Sequence, residues 1–436
     1  MRKNINKIIA FAIGVSVMSG SIIPVFAADS TTNTSTTTTT ASNAASTTTA
    51  NSNVLTLDDA IKSTISISNT LALDEQKIAY QDKENDITKK ADDFNDVDDD
   101  KEKYDDNTAD TTLDQLKQQR DFDEDSLTQK VTDQYNNIVT SQMKIDMSTK
   151  QLTVDQQNLQ HAKLQESLGI STSIDTQSKA LAIQKEQNAL TTSQNQLKDA
   201  EYTFKVLTGK DVTQYTLEKD IKFEPFKIDG DIDTYLDNVI ESQLEYKEEL
   251  LSISKDYYND KNYESDNGIT TDDVNNAESA AEAASKPTLA DGADLDAYEK
   301  YQNDLAAYNN AKNAYTGILT KRLSYLSTKL GNYQNDVTIQ NTKKQLKDQL
   351  KAYYTNLQTY EASVNYCKNE AQLYNEQLSN AKLKYDLGMM TETDYNAQVV
   401  STLQAQIDLR NAIVAYNQNK EYIQKPWIAS YSSSLY

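Results

Sequence analysis

Few residues in this chain are of a type and spacing that could do chemistry. It has a single histidine, His161, and a single cysteine, Cys367. Nucleophilic catalysis needs a base within hydrogen-bond reach of a hydroxyl or thiol and a third group to orient it. One histidine in a polar helical stretch does not assemble that set, and His161 reads as a solvated helix residue. Cys367 falls on an apolar heptad position and reads as a small core hydrophobe. Asp229, Asp231 and Asp233 imitate the opening of a calcium loop, but Thr234 stands where glycine is required and Ile240 where the closing glutamate should be. The segment 91–125 carries 15 Asp or Glu against 4 Lys or Arg. Within it, loose calcium association with residues 92–106 is one reading and a solvated charge run is the other. No glycine-rich phosphate loop is present, and no paired carboxylates suggest hydrolysis of a wall polymer. The chemistry therefore points away from an enzyme, and no cofactor or metal site is expected.

The elements that position these residues are written in a repeat. Ala162-Lys163-Leu164 followed by Leu168-Gly169 returns as Ala381-Lys382-Leu383 followed by Leu387-Gly388, 219 positions later. Upstream, Leu127, Val131, Ile138, Ile145, Leu152 and Leu159 recur at the same offset as Leu346, Leu350, Leu357, Val364, Ala371 and Leu378. A heptad kept in register across a duplication predicts two copies of one long antiparallel helical hairpin, because a helix pair with one apolar seam cannot bury it alone. With only 10 Gly and 4 Pro in 436 residues, breakers are scarce and the helices must be long. The expected fold class is all-α, with two repeated coiled-coil hairpins and little or no β-structure.

Along the chain, Arg2, Lys3 and Lys7 precede an apolar run ending in Val25-Phe26-Ala27, which reads as a signal peptide over residues 1–27 and predicts export. Residues 28–54 are a Ser/Thr-rich linker expected to be disordered. The first repeat spans 55–222 and the second 223–425, with a C-terminal tail over 426–436. Thr56 is a candidate N-cap for a helix running from Leu57 to about Ile87. The outgoing helix of the first copy is expected over 111–166, roughly 80 Å long, and its return over 175–207. Leu57, Ile61 and Leu71 recur at a shorter offset as Leu236, Ile240 and Leu250, which puts 40 extra residues inside the second copy. They form a polar insertion near 262–306, with a short Ala-rich helix about 277–284.

At the second seam position Gln134, Ser141, Ser148 and Asp155 stand where the other copy has Tyr353, Tyr360, Cys367 and Tyr374. The two hairpins then have different neighbours, or one stripe has drifted on a solvated face. A net charge of -23 argues against a polyanion partner, and no nucleic acid partner is expected. The 27 Tyr suit thin helical layers, since the ring covers apolar neighbours while the hydroxyl reaches water. No stretch after the signal segment approaches a membrane-spanning helix, so membrane association is expected to be indirect. Trp427 could anchor on the bundle or on an envelope surface.

Together these motifs resemble the TolC-type outer-membrane efflux family over about residues 55–425. The resemblance lies in Leu55-Thr56-Leu57-Asp58-Asp59-Ala60-Ile61 at the repeat opening, in the turns Leu168-Gly169-Ile170-Ser171-Thr172-Ser173-Ile174-Asp175 and Leu387-Gly388-Met389-Met390-Thr391-Glu392-Thr393-Asp394, and in Leu207-Thr208-Gly209. It implies a homotrimer forming a hollow helical tube. Leu168, Gly169, Ser171, Thr172, Leu387, Gly388, Met390 and Thr391 would be the tips that dock an adaptor protein of an export pump. Asp175, Asp386, Glu392 and Asp394 would be entrance carboxylates, although Thr391 or Thr393 could simply cap the following helix. The family also inserts β-strands where this chain has 91–125 and 262–306. Neither segment alternates as lipid-facing strands must, so the barrel is expected to be missing. The alternative to an export conduit is a secreted coiled-coil protein of the cell surface with a structural or binding role.

Overall fold

Two long rods organise the chain, and shorter helices fold back along them. The computed structural model describes residues 53–261, 263 and 269–432. The signal peptide and nearly all of the linker expected at the N-terminus lie outside the described residues. Val54, assigned to the linker, instead pairs in β1 (Val54–Leu55), which lies parallel to β2 (Thr216–Leu217) with Leu55 opposite Leu217.

Thr56 caps α1 (Leu57–Ile67) by accepting the Asp59 N–H at 3.1 Å. The single opening helix expected to Ile87 is in fact two. Ser68 ends α1 and its hydroxyl caps α2 (Asn69–Phe94) by accepting the Leu71 N–H. A serine that satisfies an orphan donor can restart a helix at a new angle.

The first rod, α3, runs from Asp99 to Ser167 and spans 69 residues, about 100 Å. It starts 12 residues before the expected position because the acidic run helps its N-terminus: Asp98 caps it, and Asp99, Asp100 and Glu102 occupy the first turn, at the positive end of the helix dipole. Further on, Lys89 of α2 lies 3.7 and 3.6 Å from Asp106 and Asp110. The chain then returns as α4 (Ser173–Thr208), which ends at Gly209 in the left-handed region with φ 69°.

The second copy opens with α5 (Ile232–Tyr257), continues through α6 (Thr271–Ala283), and builds the longer rod α7 (Leu295–Asp386), 92 residues or about 140 Å. Part of the expected insertion loop is therefore an extension of this rod, capped by Asp294, which accepts the Ala297 N–H at 2.9 Å. α8 (Glu392–Gln424) returns along α7, and α9 (Pro426–Ser432) closes the chain.

Each copy has its own core near mid-length. Leu55, Ala60, Val131, Tyr135, Ile138, Val139, Phe204, Val212 and Leu217 form the first; α5, α7 and α8 supply the second, through Leu236, Ile240, Leu350, Leu357, Val364, Ile413, Tyr416 and Ile423. Where the family resemblance would place strands, the described residues form helices joined by turns and loops, with no strand among them.

Candidate docking tips and conduit wall

The two turns joining outgoing and returning rods share three backbone hydrogen bonds. At the first, Leu168 N–H donates to the Leu164 carbonyl, Gly169 N–H to Glu166 and Ile170 N–H to Gln165, at 3.1, 3.0 and 2.8 Å. At the second, Leu387, Gly388 and Met389 donate to Leu383, Tyr385 and Lys384 at 3.1, 2.9 and 2.8 Å. This is the Schellman arrangement, and it needs a residue in the left-handed region. Gly169 and Gly388 supply it with φ 70° and 69°.

The following helices share a threonine-aspartate cap, which at α4 alone is closed into a capping box by the Thr172 N–H donating to Asp175 at 3.3 Å. Thr172 accepts the Asp175 N–H at 3.2 Å while its hydroxyl donates to the Asp175 carboxylate at 2.7 Å. Thr391 and Asp394 repeat this at 3.1 and 2.7 Å. Below each turn an alanine, Ala162 or Ala381, is buried at equivalent positions.

The sequence-predicted tip residues are thus brought together in two sets. Leu168 and Leu387 are largely exposed, as are the neighbouring Ile170, Ile174 and Met389. Met390 is half-buried, as is Ser171, while Thr172 and Thr391 are exposed caps. The Thr172 hydroxyl, then its N–H, hold the Asp175 carboxyl below the usual range. Asp386 pairs with Lys382 at 3.2 Å, and Glu392 is exposed in the first turn of α8. Thr393 donates to Gln157 of α3 at 3.0 Å, so the second tip is tied to the first rod.

α3 packs against α4 of its own copy and also against α8 of the other, and Asn136 and Gln157 of α3 accept hydrogen bonds from α8. Arg410, 4% exposed, donates to Asn136 at 2.7 Å and to the Lys219 carbonyl, while its Nε has no partner. Burial pulls the guanidinium pKa down, opposed by the nearby Tyr135 and Asp220. Nearer the tips a groove of about 380 Å³ runs between the hairpins, lined by Ser148 and Gln151 of α3, Glu186 of α4, Glu370 of α7, and Gln404 and Asp408 of α8. Of the four divergent positions, Ser148 lines this groove, and Gln134, Ser141 and Asp155 are half-buried.

The remaining candidates are structural. Trp427 stacks on Phe122 with centroids 4.2 Å apart and donates to Asp125 at 3.0 Å, so it anchors on the bundle. Asp231 caps α5, and Asp233, lowered by its hydrogen bond from Lys351, lies 2.7 Å from that lysine. Cys367 is buried, which pushes its thiol pKa up. His161 is exposed on α3. Sequence reasoning missed Arg410, whose partner Asn136 lies 274 positions away; its only local signal was a lone arginine within a returning helix.

No family model matches the chain, and no curated protein matches it in sequence. Among solved structures the chain is similar to a membrane protein from Pseudomonas aeruginosa, at 12% identity and TM-score 0.48 over 85% of this chain and 90% of that one. It is also similar to CusC, a protein described as forming a transmembrane channel, at 12% identity and TM-score 0.46 over 87% and 91%. The outer membrane protein VceC from Vibrio cholerae gives 11% identity and TM-score 0.44 over 85% and 95%.

Proposed function

We propose that the chain is the protomer of an efflux-type helical conduit in the cell envelope, a homotrimer as the motif resemblance implies, whose tips dock an adaptor protein of an export pump. The observation that supports this reading is the matched pair of tips. Two turns 219 positions apart keep the same Schellman bonds, the same threonine-aspartate cap and the same exposed leucine. Exposed apolar side chains on turns held by Schellman bonds suit contact with another protein better than they suit solvent. The nearby Asp175, Asp386, Glu392 and Asp394 would, around a ring, make a narrow mouth of negative potential that favours cations. Among the described residues no helix is long and apolar enough to cross a membrane.

The test is photo-crosslinking in cells from a reactive residue replacing Leu168 or Leu387, with Lys185, exposed along α4, as control. Docking predicts capture of one membrane-anchored adaptor from both tips and none from position 185. Tips that capture nothing, or no more than the control, would remove the docking reading and favour the cell-surface coiled coil.

A further inference from the structure

The end of the molecule opposite the tips carries two outward apolar stripes with heptad spacing that no other described helix covers. On α2, Leu73, Tyr80, Ile87 and Phe94 recur every seven residues at 55%, 63%, 67% and 85% exposure. That helix already packs its other face on α3, through Leu71 and Asn85. On α7, Leu323, Leu326, Leu330, Tyr333 and Val337 alternate spacings of three and four and are all exposed. The inward face of this part of α7 is occupied as well, by Tyr325 and Asn332. Sustained heptad spacing specifies a helix as the partner, because only a second helix presents holes at the same repeat.

The same chain supplies that helix, at the right height and in the right direction. Asn85 of α2 donates to the Ala109 carbonyl of α3 at 3.1 Å. Tyr104 of α3 stacks on Tyr257 of α5 at 4.4 Å. Ser254 of α5 donates to Asn332 of α7 at 3.0 Å, and Lys255 lies 3.0 Å from Asp336. At about 1.5 Å per residue these contacts place Asn85 level with roughly residue 334 of α7. Ile87 then stands level with Leu330 and Tyr333, Phe94 with Leu323 and Leu326, and Tyr80 with Val337. α2 runs away from the tips and α7 runs toward them, so the stripes are antiparallel. Both are exposed in the single chain, so they do not satisfy each other within one copy. Two different patches at equal height are what a head-to-tail interface needs to close into a ring about an axis along the rods.

We propose that the outward stripe of α2 in one copy pairs, antiparallel, with the outward stripe of α7 in the next copy, and that this helical seam joins the copies at the end away from the tips. It rests on the ring reading of the function. Its occupant is a second copy of this chain.

The test uses the exported chain from residue 28 with Cys367→Ala, carrying Ile87→Cys and Leu330→Cys together or singly. After mild oxidation, the double variant should give a ladder of covalent multimers on a non-reducing gel, with at least about tenfold more crosslinked chain than either single variant. Mixing the two single variants should give dimers only. Light scattering on Ile87→Glu/Leu330→Glu should show a lower mass with unchanged helicity, since both side chains are exposed. An oligomer by light scattering without crosslinks in the double variant overturns the seam and leaves the ring standing. Equal crosslinking in the single variants overturns it in favour of like-with-like contact. A monomeric parent chain overturns the seam and the ring together.

Discussion

The joint between the two repeats should respond to mutation in the opposite order from a simple count of bonds. Arg410 is almost fully buried and holds no carboxylate partner; its charge is met by Asn136 and the Lys219 carbonyl, and Nε is unmatched. A hydrogen bond to a charged group contributes about 1.5–3 kcal/mol. Asn136→Ala removes one such bond and leaves the guanidinium still buried, so it should cost about 2–3 kcal/mol. Arg410→Met gives up two bonds, roughly 3–6 kcal/mol, yet it also removes a guanidinium desolvation cost of several kcal/mol. The net effect should lie within about 1 kcal/mol of zero. For the body from residue 53 to 432, at about 2.1 cal/mol/K per residue, the unfolding entropy is roughly 0.8 kcal/mol/K. Asn136→Ala should then lower the thermal midpoint by about 3 °C and Arg410→Met by about 1 °C or less. The double variant Asn136→Leu/Arg410→Met should sit at or above the parent. Far-UV circular dichroism melts of the four proteins decide it. Equal losses for the two single variants, or none for Asn136→Ala, would refute the view that the cost lies in an uncompensated buried charge.

Tyr135 donates to the Leu55 carbonyl at 2.8 Å and accepts the Glu218 N–H at 2.8 Å. Tyr135→Phe strands both backbone groups and should cost about 2 kcal/mol, read as earlier urea unfolding with β1 and β2 losing amide protection first. Gly388→Ala should cost about 1–2 kcal/mol from the left-handed backbone alone, because an added Cβ meets nothing within 4 Å; helicity by circular dichroism should not change. At the α2–α3 end, burial and then Asp105 push the Asp92 carboxyl pKa up, and burial with neighbouring acids, Asp93 first, does the same to Glu102. A raised folded pKa means the folded hairpin binds protons more tightly than the unfolded chain. Its stability is therefore highest below the ordinary carboxylate range and falls as pH rises through the elevated values. Hydrogen exchange over residues 85–110, corrected for intrinsic rates, should show more protection at pH 5 than at pH 7, and Asp92→Asn should flatten the difference. Cys367 should react with a thiol reagent only on the timescale of unfolding, because it is buried and its thiolate is disfavoured.

What could be read in advance followed from periodicity. Leu350, Leu357, Val364 and Ala371 are buried as their seam predicts, and the Leu-Gly turns fall at the rod ends, because a heptad fixes which residues share a face. Periodicity does not say what the face meets. Leu73, Tyr80, Ile87 and Phe94 repeat as regularly as the buried seam and yet face outward. The break at Ser68 turned on one hydroxyl capping the next helix, a local bond that periodicity does not mark. The acidic run became helix because Lys89 and the helix dipole offset its repulsion, and Lys89 lies on a different helix. Of the site, the tips were local and therefore legible. Arg410 and Asn136 were not, since neither has a partner within its own helix that would mark it.

End-on electron microscopy of the exported chain, with its mass fixed by light scattering at micromolar concentration, meets the conduit reading most directly. The reading predicts a three-chain mass and hollow ring projections. A single-chain mass with solid, unpaired rods would contradict it.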